Sequence, residues 1–229
     1  MSVALSQEVR PYGSIGILYE DEDYVVFDKP PGLLVIPTPK KENNTLIHRV
    51  NEGLGQEGFR LHPCHRLDRE TSGAIVFAKG KKNQQQMMEL FHKRAVQKKY
   101  LAFIHGRLPR PRGELKGAIR DFEKKKFHKN LHAKFALTRY NVVQVKHHYC
   151  VVEVYPVTGR TNQIRIQFSE AGFPLVGERK YAFAKDFTLK FRRVALHASE
   201  LQFLHPVNHK KIHIVSPLAA DMKNFITTH

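Results

Sequence analysis

Hydrophobic positions along the chain fall mostly in short runs of β-branched and aromatic residues. Residues 15–18, 24–27 and 33–36 predict three strands. Asp-Glu-Asp and Lys29-Pro30-Pro31-Gly32 separate them as turns. The acidic run 20–23 reads as a solvated turn without a function of its own. Residues 74–78, Ala-Ile-Val-Phe-Ala, predict a buried strand, and 100–104, 137–145, 149–155, 195–204 and 211–215 predict five more. Helical spacing is confined to four places. Leu46, Ile47 and Val50 share a face within 45–53, and Met87, Leu90 and Phe91 share one within 83–93. Ile164, Phe168 and Ala171 share a third within 161–171, with Gly172 as a stop. Ser216-Pro217 opens a C-terminal helix, serine as N-cap and proline in the first turn. With no internal repeat and no Gly/Ser linker, the pattern predicts one continuous, strand-rich α+β domain.

Composition narrows the class. A hydrophobic fraction of 41% with 15 Phe and 8 Tyr in 229 residues excludes a disordered chain. No apolar run approaches the roughly 20 residues of a membrane span, and residues 1–10 lack the apolar block of a signal peptide. Cys64 and Cys150 cannot build a disulfide framework and fit a reducing, cytoplasmic compartment.

Charge changes the picture most. Lys and Arg number 38 against 21 Asp and Glu, a formal +17. Such an excess suits a phosphate backbone, from which basic side chains displace counterions. An acidic membrane surface is the competing partner, but no basic amphipathic helix or lipidation signal supports it. The excess is concentrated. Residues 79–99 hold seven Lys/Arg against Glu89, and 107–134 hold ten against three acids. A single charge run is usually a solvated face. Two adjacent runs point to a phosphate-binding rim, with Phe122 and Phe127 placed either to stack on bases or to fill a minor core. The stretch 107–134, rich in proline at its start, is expected to leave the main sheet as a basic excursion.

Three blocks carry candidate chemistry. In His65-Arg66-Leu67-Asp68-Arg69-Glu70-Thr71-Ser72-Gly73, the Asp68 carboxylate is flanked by two arginines, which favour its ionised form as nucleophile or general base. Taken in isolation, an Arg-Leu-Asp-Arg string reads better as a surface ion pair. In Thr158-Gly159-Arg160-Thr161-Asn162-Gln163-Ile164-Arg165, Arg160 and Arg165 lie at the start of a helix whose free amides suit an anion. In Lys98-Lys99-Tyr100-Leu101-Ala102, a tyrosine enters a strand beside basic residues, where it could stack on a base or serve as core.

Taken together and in order, these blocks resemble the RluA type of pseudouridine synthase. The opening 19–32 resembles that family's first hairpin, His65–Asp68 with Thr71-Ser72-Gly73 its catalytic motif, and 98–102 its tyrosine motif. Residues 158–165 followed by Gly172–Gly177, then Leu196-His197-Ala198 and Phe203–Pro206, resemble its later motifs. The likeness runs from about residue 15 to the C-terminal helix. It implies a catalytic domain over 15–229 behind a short extension, 1–14, without an S4-type RNA-binding domain. It also implies a long mixed, mainly antiparallel sheet with flanking helices.

The resemblance assigns roles. Asp68 matches the essential aspartate of uridine isomerisation, Arg165 the basic residue that pairs with it, and Tyr100 the tyrosine that stacks on the target base. Arg66 matches the arginine that fills the space left by the flipped uridine. His65, Arg69, Arg160, Thr161, Asn162 and Gln163 are the remaining motif residues expected to contact RNA. The reaction implied is conversion of a uridine in ribosomal or transfer RNA to pseudouridine, with no cofactor or metal, in a cytoplasmic monomer. Whether Asp68 attacks the sugar or removes a proton from it stays open. Asn162, Gln167 and Glu178 depart from the family's usual His, His and Asp, and are expected to alter RNA contacts rather than abolish catalysis.

Other readings are weaker. A metal site drawn from Cys64-His65 and His147-His148-Tyr149-Cys150 matches no zinc spacing. Cys64 as nucleophile leaves the other blocks unexplained. A nuclease would need a carboxylate cluster or a paired-histidine site absent near these motifs. A non-catalytic RNA-binding or ribosome-assembly factor on the same fold is the main alternative, and differs from the enzyme in tolerating loss of Asp68.

Overall fold

Successive side chains of β2 (Tyr24–Lys29) and β4 (Ser72–Lys79) point to opposite faces, and both faces are covered. Val25, Phe27, Ile75 and Phe77 enter one core cluster, with Leu46 and Val50 of α1 (Leu46–Glu52) packed on them. Tyr24, Val26, Ala74, Val76 and Ala78 enter the other, under Met87 of α2 (Lys81–His92). That is why these strands read as unbroken apolar runs. The molecule is a computed structural model describing residues 12, 14–39, 42–52, 54, 59–120, 133–182 and 189–229.

The remaining strands are β1 (Gly16–Glu20), β3 (Leu61–Pro63), β5 (Gln97–His105), β6 (Arg112–Ile119), β7 (Lys134–Val145), β8 (Tyr149–Pro156), β9 (Leu196–Leu204) and β10 (Lys211–Val215). They join β2 and β4 in one sheet of order β1-β2-β4-β9-β5-β8-β7-β6, with β3 on β4 and β10 on β9. The one parallel pairing among the named strands is β4 with β9, over Ser72–His197 and Gly73–Ala198. The second half of the sheet repeats the two-faced plan. Ala102, Ile104, Val152 and Val154 pack with Ile164 and Phe168 of α3 (Gln163–Glu170). Phe103, Tyr149 and Val151 pack with Met222 and Phe225 of α4 (Ala220–Thr228).

The α+β class and the mixed, mainly antiparallel sheet agree with the expectation. Four local readings do not. Residues 33–36 form no strand: Leu33 and Val35 are buried in loop conformation and Leu34 alone bridges to Thr45. The basic stretch does not leave the sheet at once, because 112–119 is the edge strand β6, paired along its length with β7. Phe122, Phe127 and Lys124–Lys126 lie outside the described residues. Ser216 caps no helix; its hydroxyl donates to Asp28 Oδ1 at 2.9 Å, and α4 starts four residues later. The turn at 20–23 is more than a solvated link. Asp21 Oδ1 accepts the Asp23 and Tyr24 amides, and Asp23 accepts from Asn83 of α2.

Gly73 fixes the β4–β9 junction. Its φ is +107°, and a Cβ there would lie 2.8 Å from the Ala198 carbonyl carbon. Gly73→Ala combines backbone strain with a backbone clash, and is expected to destabilise the fold by at least about 3 kcal/mol, measured by urea unfolding. A loss under about 1 kcal/mol would show that the junction yields.

Candidate active site

Asp68 lies in the turn between β3 and β4, closed by the Thr71 amide donating to its carbonyl at 3.1 Å. Two buried cations hold that turn. Lys29 Nζ donates to the carbonyls of Pro30, Leu33 and Arg69 at 2.9, 2.7 and 3.1 Å. Burial, and then the charge of Arg193, push the Lys29 pKa down to about 7, while the three carbonyls favour its protonated form. Arg193 Nη1 donates to the carbonyls of Glu70, Val194 and Leu196, and Nη2 reaches Ser72 Oγ. Asp221 of α4 fixes the Arg193 guanidinium with two bonds, of 2.6 and 2.9 Å. The Asp68 turn is thereby tied to β2, β9 and α4.

Tyr100 follows a bulge in β5 and pairs with Ala198, the residue opposite Gly73. One row across the sheet therefore sets the tyrosine beside the Asp68 turn. Burial first, and the Asp68 charge second, raise the Tyr100 pKa, so the ring meets a ligand as a neutral phenol.

Arg165, in the first turn of α3, is buried, and its main partner is Glu178. Nε donates to Oε2 at 2.7 Å and Nη2 to Oε1 at 2.9 Å, a bidentate pair. Glu178 Oε1 also accepts the amides of Arg179, Lys180 and Tyr181. Nη1 of Arg165 donates to Asn162 Oδ1 and comes within 3.8 Å of Asp68 Oδ2. Burial opposes the Arg165 charge, but the hydrogen bonds and charge of Glu178, with the charges of Asp68 and Glu70, raise its pKa overall. For Glu178 burial works upward, and Arg165 with the backbone amides brings the net shift downward.

Asp68, Arg165, Tyr100, His65, Arg66, Arg160, Thr161, Asn162 and Gln163 all line one cleft of about 460 Å³. Arg69 does not; its guanidinium pairs with Glu42 on the surface. Several cleft residues are committed internally. His65 Nε2 accepts the Val76 amide at 3.1 Å and its ring packs on Phe91. Burial, then the charge of Lys98, press the His65 pKa down to about 3, so this histidine is a neutral strut. The Gln163 amide bonds Thr158, Arg160, Leu137 and Thr138. Asn162, at φ 54°, links Arg165 to the Tyr181 hydroxyl. Arg66 is exposed at the cleft, and Arg160 donates to the Phe135 carbonyl. Gln167 is buried and spends its amide on Leu115, Ala136 and Thr138, where it joins α3 to β6 and β7.

The rival chemistries find little support. Burial pushes the Cys64 thiol up to about 12, which makes it a poor nucleophile. Among the described residues, the one cluster with ligand-like spacing is Asp21, Asp23 and His205, which contains none of the Cys/His candidates. His205 Nδ1 accepts the Val207 and Asn208 amides. The proton then sits on Nε2, the nitrogen facing the aspartates, where a metal would need a lone pair. The burial of Lys29 and Arg193 escaped the sequence reading. A lysine before two prolines or an arginine among basic neighbours carries no mark of burial.

The family model described as RNA pseudouridylate synthase matches residues 23–170. The dual-specificity RNA pseudouridine synthase RluA of Pasteurella multocida (strain Pm70) is 33% identical, over 95% of this chain and 98% of that protein. The ribosomal large subunit pseudouridine synthase C of Buchnera aphidicola subsp. Schizaphis graminum (strain Sg) is 32% identical, over 93% and 70%. The solved structure of human RNA pseudouridylate synthase domain containing 4 superposes with a TM-score of 0.76 at 26% identity, covering 93% of this chain and 92% of that one.

Glu178→Gln leaves the Arg165 charge buried without its counterion, a change worth about 3–5 kcal/mol. The lowered Glu178 pKa adds a sign. Its stabilisation is present above the ordinary value of 4.5 and fades as pH falls through the lower folded value. Urea unfolding should therefore show a large gap between wild type and variant at pH 7 that narrows on acidification below 4.5. A gap constant across that range contradicts the assignment.

Proposed function

The chain belongs to the RNA pseudouridylate synthase family, and from that premise we propose that Asp68, Arg165 and Tyr100 carry the isomerisation of uridine to pseudouridine. The protein is an RNA pseudouridine synthase, acting on ribosomal or transfer RNA. The observation that supports the site most directly is the approach of Arg165 Nη1 to Asp68 at 3.8 Å inside the cleft that also holds Tyr100.

The reaction breaks N1–C1′, turns the uracil and joins C5 to C1′. One proton moves from C5 to N1 overall, and no electrons are gained or lost. A stacked uridine hides both C1′ and its base edge, so the nucleotide leaves the stack first. Tyr100, a neutral ring fixed by the sheet, gives the extruded base a flat surface. The Arg66 side chain reaches from the rim toward the space the base vacates. Arg165 keeps a positive charge near Asp68, which favours the carboxylate that either attacks C1′ or removes a sugar proton. Because Glu178 already holds two nitrogens of Arg165, the guanidinium steers Asp68 without capturing it in a bidentate pair. The +17 charge supplies sequence-independent attraction for the RNA strand. Two free, buried thiols fit a cytoplasmic enzyme. A single catalytic unit over 15–229 working as a monomer fits the one continuous sheet.

Pseudouridines mapped in cellular RNA with and without the gene test the reading. A site lost on deletion should return with the wild type and stay absent with Asp68→Asn, while the variant retains RNA affinity within about threefold, roughly 0.65 kcal/mol. Return of the site with Asp68→Asn would remove the aspartate from the chemistry and favour a binding factor.

A further inference from the structure

The cleft holds an ammonium that the isomerisation does not use. Lys98 lies on β5 two residues before Tyr100 and lines the same cleft as Asp68. Among the described residues no carboxylate comes within ion-pair distance of it. Its neighbour shows that this sheet does supply partners for such charges. Lys99 pairs with both Glu153 and Glu200. The immediate cleft neighbour of Lys98 brings no charge: His65 is held neutral beside it, and Phe91 backs that ring. Arg66, Arg94 and Arg160 line the cleft as well and add positive potential. Gly159 adjoins the ammonium, and a Cβ there would lie 3.6 Å from Nζ, an ordinary contact distance.

We propose that Lys98 grips a phosphate of the RNA strand adjoining the flipped uridine, and so positions the strand without joining the chemistry. This rests on the function proposed above. A partly buried ammonium without a counterion is unfavourable until an anion arrives. A phosphodiester oxygen supplies a full negative charge, which a uracil carbonyl does not. An ammonium on a flexible stem suits phosphate as a point charge. Burial lowers the Lys98 pKa, a penalty that an approaching anion relieves.

Two measurements decide it. Binding of a short fluorescent oligouridylate is followed against salt for wild type, Lys98→Met and Lys98→Arg. Lys98→Met should weaken binding about tenfold and flatten the log–log salt slope by about 0.7, one phosphate contact on a single strand. Lys98→Arg should keep the wild-type slope. A slope unchanged in Lys98→Met, or lost equally in both variants, overturns the grip. The second measurement uses RNA bearing the mapped uridine, with a neutral methylphosphonate placed on its 5′ or its 3′ side. At one of these positions the substitution should raise KM for the wild type and leave Lys98→Met unaffected, with kcat kept in both. Independent, additive losses at both positions also overturn it. A wild type that makes no pseudouridine would sink the isomerase reading instead, and the oligouridylate slopes would still decide the phosphate contact.

Discussion

Two residues of parallel pairing organise the site. Ser72 beside His197 and Gly73 beside Ala198 join the β1-β2-β4 part of the sheet to the β5-β8-β7-β6 part through β9. Ala198 is also the partner of Tyr100, so Gly73, Ala198 and Tyr100 form one row. Asp68 comes from one half of the sheet and the Tyr100 ring from the other. Their distance is set by backbone spacing, which the glycine keeps short. Side chains reinforce the same junction. Ser72 Oγ meets His197 Nδ1 at 3.0 Å, and Arg193 reaches Ser72 while holding the Glu70 carbonyl.

Around that junction the protein buries charge instead of avoiding it. Lys29, Arg165, Glu178 and Arg193 are each less than a tenth exposed, and each is satisfied by several hydrogen bonds. Well-packed apolar residues often stabilise a fold as much as a buried ion pair. What the charges add here is direction: a guanidinium or ammonium bonded to several fixed carbonyls has one orientation, and the turn that presents Asp68 inherits it. Arg69 marks the contrast. It is adjacent to Asp68 in sequence, yet half exposed and paired with Glu42, where such a bridge contributes about 1 kcal/mol or less.

The unbroken apolar run made β2, β4 and β8 legible, because both faces of those strands are buried. It failed at 33–36, where apolar side chains fill the core from a loop and only Leu34 makes a bridge. It failed again at β6, where two glycines and alternating charges hide an edge strand whose pairing with β7 is helped by Glu114 against Arg139. At the site, Asp68, Tyr100 and Arg165 were legible because each lies in a motif whose neighbours agree. The bond between Arg165 and Glu178 was not, since it depends on how the loop after Leu175 turns back onto α3. Lys98 and Lys99 show the limit sharply: adjacent identical residues, one neutralised by two carboxylates and one facing the cleft.

The three departures from the family pattern lead to one conclusion about substrate choice. Gln167 and Gln163, one turn apart on α3, spend their amides on β6, β7 and the Thr158 loop. Asn162 spans Arg165 and Tyr181, and Glu178 anchors Arg165. These residues bond one another, the backbone and Arg165, so their first effect is on the shape of the α3 end. On the function proposed above, an RNA strand instead meets Arg66, Arg160 and the ammonium of Lys98, which line the open side of the site. Discrimination among uridines would then rest on how far a given RNA can bring its phosphates to those cations while its base reaches Tyr100. In that arrangement the buried set would hold the chemistry at one place, and the rim would select which nucleotides arrive there.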